Sequence, residues 1–441
     1  MVHNDRRTFL KTAGAAGVGL TFAGGASASE GNVLDDALDL TSDVVQDVLL
    51  VVDREGVTDE LASLGLDVYE FEVLPLVYLE ASGPTLEEVS LLDGVVRVEA
   101  NRDLEWFNDD AREVTGVDET DPSYSGDSAH VAVIDSGVDP THPDLDVATN
   151  YQWVGNPLGS PTLFVPSPVD TDEIGHGTHC SGTVAGTGAQ SDGQYKGMAP
   201  DATLTVYSTS AGVSVLKAAA AYDHLLANEA DAVDIVSNSY GAASASDFDP
   251  SLPINVATEA ALEAGLLSVF ACGNSGPGYD TLNDYAKAPW VLGVGATNDD
   301  RAVTGFSSRG RQDGAHDRSQ ALSDGTGLYR PGVCAPGASI VSTMGPTDPL
   351  QATDNGGTES LASPYYAAIS GTSMSTPCVA GICARMYDAA RENGQSIAPL
   401  DVIATLEDTA DGSYEPASGG RGFVDADAVV SRAASGDLSS L

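Results

Sequence analysis

Apolar and polar positions alternate with two different rhythms along the chain. Between residues 47 and 101, short apolar runs and amphipathic stretches follow the order strand, helix, strand, strand, helix, strand. The runs DVLLVVD and VVRVEA predict the first and last strands, and TLEEVSLLDG predicts a helix that begins at Thr85. This order predicts a small α+β sandwich of the ferredoxin-like kind.

Longer apolar runs begin near residue 129 and alternate with helical stretches. Six runs predict strands: HVAVID, TLTVYS, DIVSNSY, LLSVFAC, PWVLGVGA and SIVSTM. The stretches SVLKAAAAYDHLLANEA and VATEAALEAG predict helices between them. Strands that are apolar throughout are buried on both faces. This region therefore predicts an α/β fold with a doubly wound, mainly parallel sheet and helices on both faces.

Three polar segments separate or interrupt these regions. Residues 102–128 are acidic and predict a linker between the two. Residues 309–331 and 345–366 are rich in Gly, Asp and Ser and predict surface loops.

The overall charge is strongly negative. The 441 residues include 65 Asp and Glu against 19 Lys and Arg, which gives a formal charge of −46 without any single acidic block. Self-repulsion of this size is screened in molar salt, where the Debye length falls to about 3 Å. We therefore expect the protein to come from an organism that lives in high salt. The alternative is a secreted protein that is merely acidic. Nucleic acid is not expected as a partner, since phosphate binding requires basic patches.

The N-terminus carries the pattern of an export signal. Arg6 and Arg7 precede FLK and a weakly apolar Gly/Ala-rich stretch, which ends at an ASA cleavage pattern. We expect a twin-arginine signal peptide over residues 1–28 and a secreted, extracellular product. A membrane anchor is the alternative, which the short, glycine-rich stretch disfavours. No other segment has about 18 uninterrupted apolar residues, so a soluble mature protein is expected.

Cysteine usage leaves the redox chemistry open. The count is odd, so at least one thiol is unpaired unless it bridges two chains, and the pairing cannot be derived from sequence. No spacing indicates a zinc site. The five residues are Cys180, Cys272, Cys334, Cys378 and Cys383.

Four polar residues stand where chemistry is possible. Asp135 ends a predicted strand at the sheet edge where ligands bind in parallel sheets. His176 lies between two glycines before a helix, and Asn274 follows another strand. Ser373 begins a helix whose first turn is predicted to include Pro377. Taken singly, each has an ordinary explanation as a turn residue, a structural histidine or a helix cap.

Together these four residues meet the requirements of an activated serine. A serine hydroxyl becomes a good nucleophile when an imidazole takes its proton, and a buried carboxylate holds that imidazole in the right tautomer. An amide side chain and a backbone N–H at a helix start can stabilise the resulting oxyanion. The chain order Asp, His, Ser is one of the three convergent triad orders and differs from that of the α/β-hydrolases.

Residues from about 129 to 435 resemble the subtilisin family (subtilases) of serine proteases. The resemblance rests on VAVIDSGVD, HGTHCSGTVAG, ACGNSG and GTSMSTP, and residues 47–101 resemble the inhibitory propeptide of that family. Cys180 directly follows HGTH and resembles the cysteine-bearing branch of the family, and the chain looks halolysin-like. A buried thiol beneath the histidine is expected by this resemblance, and a small packing residue is the alternative.

The resemblance implies a role for each of the four residues. Asp135, His176 and Ser373 would form the catalytic triad, and Asn274 would line the oxyanion hole. The implied activity is that of a serine endopeptidase that hydrolyses peptide bonds of proteins through an acyl-enzyme.

Two further sites follow from the resemblance. The segment SNSYGA implies that Ser239, Tyr240 and Gly241 bind substrate backbone by strand addition. The segment THPDL places Asp144 where the family often has a structural calcium ligand, and no organic cofactor is expected. The loop 186–197, which would carry partner ligands, does not match well, so a structural aspartate remains the alternative.

The resemblance also implies how the chain is organised. We expect a signal peptide over 1–28, a propeptide over 29–108, a catalytic domain over 109–435 and a short tail over 436–441. The propeptide would assist folding, act as an intramolecular inhibitor and be removed by self-cleavage somewhere in 100–115. A monomer is expected.

Two other function classes compete with the protease. An esterase or amidase could use the same triad, and the propeptide-like segment argues against it. A binding protein that kept the fold without activity is the second, and the presence of all four catalytic residue types argues against that.

Overall fold

The structure is a computed structural model that describes residues 33–34, 38–52, 56–70, 76–100, 109–155, 162–242, 245–353 and 364–441. The predicted signal peptide lies outside the described residues. The chain divides into two compact units, Met1–Glu105 and Trp106–Leu441.

The first unit is a four-stranded antiparallel sheet with two helices, in the predicted order of elements. The sheet order is β2-β3-β1-β4. The second helix begins at Gly83 and not at Thr85, because Pro84 suits the first turn of a helix. The elements are β1 (Val45–Val52), α1 (Val57–Ser63), β2 (Val68–Glu70), β3 (Leu76–Ser82), α2 (Gly83–Ser90) and β4 (Val95–Ala100).

The second unit is built on an eight-stranded sheet in the order β12-β11-β10-β9-β5-β8-β6-β7. All its neighbouring strands pair in parallel except β6 and β7, which are antiparallel. A separate antiparallel pair joins β13 to β14. The strands are β5 (His130–Asp135), β6 (Val147–Trp153), β7 (Phe164–Pro166), β8 (Thr203–Ser208), β9 (Ile235–Asn238), β10 (Leu267–Ala271), β11 (Leu292–Thr297), β12 (Val333–Pro336), β13 (Ile340–Thr343) and β14 (Tyr366–Ile369).

Helices cover both faces of this sheet. On β5, Val131 and Val133 belong to one buried cluster with the long helix α8, while Ala132 and Ile134 belong to another with α5. Successive strand residues point to opposite faces, so this split confirms the doubly wound α/β architecture. The helices are α3 (Asp109–Thr115), α4 (His176–Ala185), α5 (Val215–Asn228), α6 (Pro253–Glu263), α7 (Arg318–Asp324), α8 (Thr372–Glu392), α9 (Pro399–Thr409), α10 (Pro416–Gly419) and α11 (Ala426–Ser435).

The predicted linker is structured over its second part. Helix α3 buries Ala111 and Arg112, which are 1% and 8% exposed. The Arg112 guanidinium donates to the carbonyl of Gly197 and, at 2.8 Å, to Asp118. The prediction of a linker through residue 128 was therefore wrong, because the polar sequence of this segment includes cations and hydroxyls that pair inside the fold.

The predicted surface loop at 309–331 also contains buried structure. Arg318 and Arg330 are each 1% exposed, and both bond the carboxylate of Glu407 at 2.6–2.9 Å. Burial of a charge is tolerated where it is paired and hydrogen-bonded in this way. Composition alone identified a loop here and missed this ion cluster.

The run SIVSTM was expected among the strands of the main sheet. It instead pairs as β13 with β14 in the small separate sheet. Four strands of the second unit were not predicted, namely β6, β7, β12 and β14. Three of these four are three or four residues long, so they show too little periodicity to detect.

Candidate active site

The carboxyl ends of neighbouring parallel strands bring the predicted residues to one edge of the sheet. Asp135 ends β5, and Asn274 follows β10 two strands away. Helix α4 begins at His176, directly after Gly175, whose φ of +93° lies in the left-handed region. His176 Nδ1 and Asp135 Oδ1 are 2.7 Å apart.

Close approach of helix α4 to β5 requires a residue without a side chain. A Cβ atom on Gly177 would lie 2.1 Å from the carbonyl oxygen of Gly137 and 3.0 Å from Asp135 Cβ. The glycine after His176 therefore lets the start of the helix sit directly over the aspartate. The HGTH pattern has this packing reason as well as a chemical one.

The imidazole is electrostatically coupled to the carboxylate. Asp135 is 5% exposed, and its Oδ1 also accepts from the backbone N–H of Ser136 at 2.7 Å. Burial alone would lower the pKa of His176, but the Asp135 carboxylate outweighs it and raises that pKa well above its ordinary value. The pair therefore favours the imidazolium that a general base becomes after taking a proton.

A second aspartate, missed by the sequence analysis, fixes the turn before His176. Asp172 is 6% exposed and accepts five hydrogen bonds, from the Ser136 hydroxyl, the N–H groups of Ile174, Gly175 and Thr178, and the Thr178 hydroxyl. None of these five bonds involves a catalytic atom, so it is a positioning residue. An acid four residues before a catalytic helix start was the available signal.

Ser373 is the second residue of the 21-residue helix α8, so its N–H is among the four without an intrahelical partner. Pro377 was predicted in the first turn, and it is instead the sixth helical residue. There it removes the N–H that would bond the Ser373 carbonyl. That carbonyl accepts instead from Ser239 Oγ at 2.8 Å and Cys180 Sγ at 3.4 Å.

Cys180 therefore connects the histidine helix to the serine helix. It lies one helical turn after His176 and is fully buried, with its Sγ 3.8 Å from His176 Nδ1. The expected thiol beneath the histidine is present. The other four cysteines are also buried and unpaired, and none is disulfide-bonded.

The side chain of Asn274 is held by its oxygen. Asn274 Oδ1 accepts from both the N–H and the hydroxyl of Thr372 at 2.9 Å, and the same hydroxyl accepts from Gly273 N–H at 3.1 Å. Because its oxygen is engaged, the NH₂ end of Asn274 is the end oriented for an incoming oxygen. Thr372 is fully buried and was missed as a positioning residue, since a threonine at a helix start suggests only a cap.

His176, Asn274 and Ser373 line one cavity of about 360 Å³. The Ser373 hydroxyl donates to the carbonyl of Ser239 at 3.1 Å in this structure and not to the imidazole. Serine and histidine thus share a cavity without being hydrogen-bonded, as is common before substrate binds.

The three predicted substrate-binding residues follow β9 beside the site. Ser239 and Tyr240 line a cavity of about 190 Å³ together with His176, and Tyr240 and Gly241 line a second one of about 200 Å³. Asn283 was missed: its NH₂ group donates to the carbonyls of Tyr240 and Ala271 at 2.9 and 2.8 Å. It ties together the ends of β9 and β10 that flank the site.

The calcium role expected of Asp144 stays a prediction. Asp144 is fully buried, and its carboxylate accepts from Gln190 N–H at 2.9 Å and from the hydroxyl of Tyr366. Both of its oxygens thus have protein donors. Among the described residues, one group of three side chains has possible metal-ligating atoms within 4.8 Å of one another: Asp135, His176 and Cys180.

The chain was compared with known proteins. The sequence model of the subtilase family matches residues 126–431. The chain is 31% identical to serine protease AprX of Bacillus subtilis over 73% of its own length and 71% of that protein. It is 28% identical to the M-protease of Shouchella clausii over 87% and 85%, and 27% identical to a thermostable alkaline protease of Halalkalibacterium halodurans over 78% and 81%. These matches agree with the mainly parallel sheet covered by helices on both faces and with the placement of Asp135, His176 and Ser373. They establish that the chain belongs to the subtilase family and is a serine endopeptidase.

Proposed function

We propose that Asp135, His176 and Ser373 form the catalytic triad and that Asn274 stabilises the oxyanion. The observation that carries this proposal is the 2.7 Å contact between His176 Nδ1 and Asp135 Oδ1, made beside the cavity that His176, Asn274 and Ser373 share. An aspartate bonded to Nδ1 leaves Nε2 as the nitrogen that takes the proton.

The reaction then proceeds in two acyl transfers. Ser373 Oγ leaves the Ser239 carbonyl, gives its proton to His176 and attacks the scissile carbonyl carbon. Negative charge on the carbonyl oxygen is stabilised by the Asn274 NH₂ group and by the backbone N–H of Ser373 at the positive end of α8. His176 returns the proton to the leaving amine, and a water molecule releases the acyl group by the same route.

We propose further that the enzyme is exported, works outside the cell as a monomer and is adapted to high salt. The paired Arg6 and Arg7 support export, and the charge of −46 supports salt adaptation. No helix among the described residues is long and apolar enough to cross a membrane.

The first unit would act as the inhibitory propeptide of a self-processing zymogen. Its compact α+β fold and the division of the chain after residue 105 support this assignment. The buried Ala111 and Arg112 of α3 limit where processing can occur, since cleavage within that helix would strip buried groups from the catalytic unit. We therefore propose cleavage on the N-terminal side of Asp109, within the window of 100–115 predicted from the sequence.

A serine-reactive phosphonate tests the nucleophile directly. Incubation in about 3–4 M salt, where repulsion is screened, followed by peptide mapping should place one adduct on Ser373. An adduct on another serine, or none on a folded protein, would contradict the triad. Casein and ester hydrolysis measured in parallel separate an endopeptidase from an esterase.

Deletion of residues 29–105 tests the zymogen. We expect the shortened protein to fold poorly, because the propeptide assists folding. If it does fold, it should harm the producing cell, because an uninhibited protease would form in the cytoplasm. A deletion variant that expresses harmlessly and folds normally would exclude this role for the first unit.

A further inference from the structure

Two cations hold the loop that follows the predicted substrate-binding segment. Strand β9 ends at Asn238, so Ser239–Gly241 lie beyond its residues that pair in the main sheet. The chain then continues through the loop 245–248. This loop bonds Lys287 and Arg311, which belong to two other segments of the second unit. The position of Ser239–Gly241 therefore depends on contacts outside the sheet.

Lys287 bonds the loop from a buried position. Its side chain is 1% exposed, and its Nζ donates to the carbonyl of Ser246 at 2.9 Å and to Asp284 Oδ1 at 2.8 Å. Burial of an ammonium group is costly unless the group is paired and hydrogen-bonded, so these two acceptors fix the cation in place. Because the cation is buried, salt screens this pair less than an exposed one. Lys287 therefore holds the loop in the molar salt that we expect around this protein.

Arg311 bonds the loop at two further residues. Its Nη2 donates to the Ala245 carbonyl and its Nη1 to Asp247 Oδ1, both at 2.5 Å, while its Nε donates to Asp280 Oδ1 at 2.7 Å. The guanidinium carbon also lies 4.4 Å from the centre of the Tyr329 ring. A planar guanidinium with all three nitrogens bonded and one face on a ring is held in a single orientation. The two cations thus bond three consecutive residues of the loop.

The turn that carries Lys287 also bonds the backbone of the substrate-binding segment. Lys287 ends the 3₁₀ turn Asp284–Lys287, and the backbone N–H of Asp284 donates to the carbonyl of Ala242 at 3.0 Å. Asn283, directly before this turn, donates to the carbonyl of Tyr240 at 2.9 Å. The turn is therefore bonded to the substrate-binding segment at its start and, through Lys287, to the loop at its end.

We propose that Lys287 and Arg311 are positioning residues, which hold Ser239–Gly241 in the extended form that pairs with the acyl side of a peptide substrate. This inference rests on the proposed triad and on the predicted strand pairing. None of the bonds described above involves a catalytic atom, so the two cations act on substrate binding and take no part in the chemistry. A segment that is ordered before the substrate arrives loses little conformational entropy on binding.

Two thiobenzyl esters of different length test this role. Both end in the same residue and release the same thiol, but one has four residues on the acyl side and the other has a single acetylated residue. Extended strand pairing is open to the longer ester alone, while both esters need the same chemistry. The ratio of kcat/KM for the longer ester to that for the shorter one therefore measures strand pairing. In molar salt, the wild type should favour the longer ester about a hundredfold.

Lys287→Met should lower this ratio about tenfold and change kcat/KM for the shorter ester by less than about twofold. Arg311→Gln should lower the ratio about threefold, because Lys287 still bonds the loop. Arg311 is 22% exposed, so this variant supplies a second test if Lys287→Met does not fold. Arg432→Gln is the matched control. Arg432 is 25% exposed and also bonds an aspartate at 2.7 Å, but it lies on α11, so its loss should leave the ratio unchanged.

Three kinds of failure can be told apart. If the triad is misassigned, hydrolysis of the shorter ester will not depend on Ser373. If the strand pairing is wrong, the wild type will not favour the longer ester. If only the role of the cations is wrong, the wild type will favour the longer ester, but Lys287→Met and Arg311→Gln will keep the ratio or will lower both rates equally. Each of these results overturns the inference, and the last two leave the proposed triad intact.

Discussion

Pro377 stands four residues after Ser373 and leaves the carbonyl of the nucleophile without a helical donor. Ser239 supplies the replacement, with its hydroxyl 2.8 Å from that carbonyl. The hydroxyl thus anchors the start of α8 to the end of β9, where substrate backbone is expected to bind. Ser239 therefore holds the nucleophile in two ways, since its carbonyl also accepts from the Ser373 hydroxyl at 3.1 Å.

Ser239→Ala should therefore lower kcat. Loss of one hydrogen bond of about 1–1.5 kcal/mol corresponds to about a tenfold loss if it acts on the transition state. Ser237→Ala, two residues earlier on β9, is the matched control, since the buried Ser237 hydroxyl has no partner among the described residues and its loss should be neutral. Steady-state kinetics on one peptide substrate compares them, and equal kcat values for the two variants would refute the anchoring role.

The Asp135 carboxylate should hold the pKa of His176 above 6.5, its ordinary value. A base must be neutral to accept a proton, so kcat/KM should rise with pH through a midpoint above 6.5. In a Ser373→Ala background, NMR titration of the His176 ring should show this midpoint, and adding Asp135→Asn should lower it. An unchanged midpoint would mean that the carboxylate does not control the imidazole.

Asn274→Ala should lower kcat about 10²–10³-fold with little change in KM, a magnitude that comes from a subtilisin. Thr372→Val removes the hydroxyl that bonds both Asn274 and Gly273, so it should give a smaller loss of the same kind. The kcat values of the wild type, the two single variants and the double variant form a double-mutant cycle. If Thr372 acts by orienting Asn274, the two losses will not add; full additivity would show that Thr372 acts elsewhere.

Glu407→Gln should destabilise the second unit by about 3–5 kcal/mol, because it leaves the buried Arg318 and Arg330 uncompensated. Burial raises the pKa of Glu407, but these two arginines outweigh it and lower the pKa to about 2. The Glu407 carboxylate therefore stabilises the second unit fully above about pH 4.5, and its contribution decreases as the pH falls toward 2.

Asp408→Asn is the control for the buried cluster. Asp408 pairs with Arg432 at 2.7 Å, but its side chain is 61% exposed, so its loss should cost under about 1 kcal/mol. Thermal or denaturant unfolding in molar salt would compare the two variants. A similar small cost for Glu407→Gln would show that the buried cluster does not contribute as argued.

Much of the fold and the four central residues could be predicted from the sequence. Strands such as HVAVID are long, continuously apolar and separated by helical stretches, and that pattern determines the layer arrangement. Asp135, His176, Asn274 and Ser373 could be found because each follows a strand or begins a helix beside glycine. The catalytic role of each followed from the resemblance to subtilases and stays a prediction.

Residues that act through long-range contacts could not be predicted. Thr372 and Asn283 bond groups up to about a hundred positions away, and nothing local distinguishes them from caps and turn residues. The role of Pro377 was mistaken for the same reason. A proline early in a helix is normally harmless, and only the structure reveals the side chains that satisfy the carbonyl it frees.

The central claim is that Ser373 is the nucleophile of a self-processing endopeptidase. The most direct test compares the wild type with Ser373→Ala in about 3–4 M salt, using casein as substrate and mass spectrometry of the N-terminus. The wild type should digest casein, and its N-terminus should lie just before Asp109 because the first unit has been removed. Ser373→Ala should keep its first unit and cleave nothing. A Ser373→Ala protein that matures and digests casein would contradict the account.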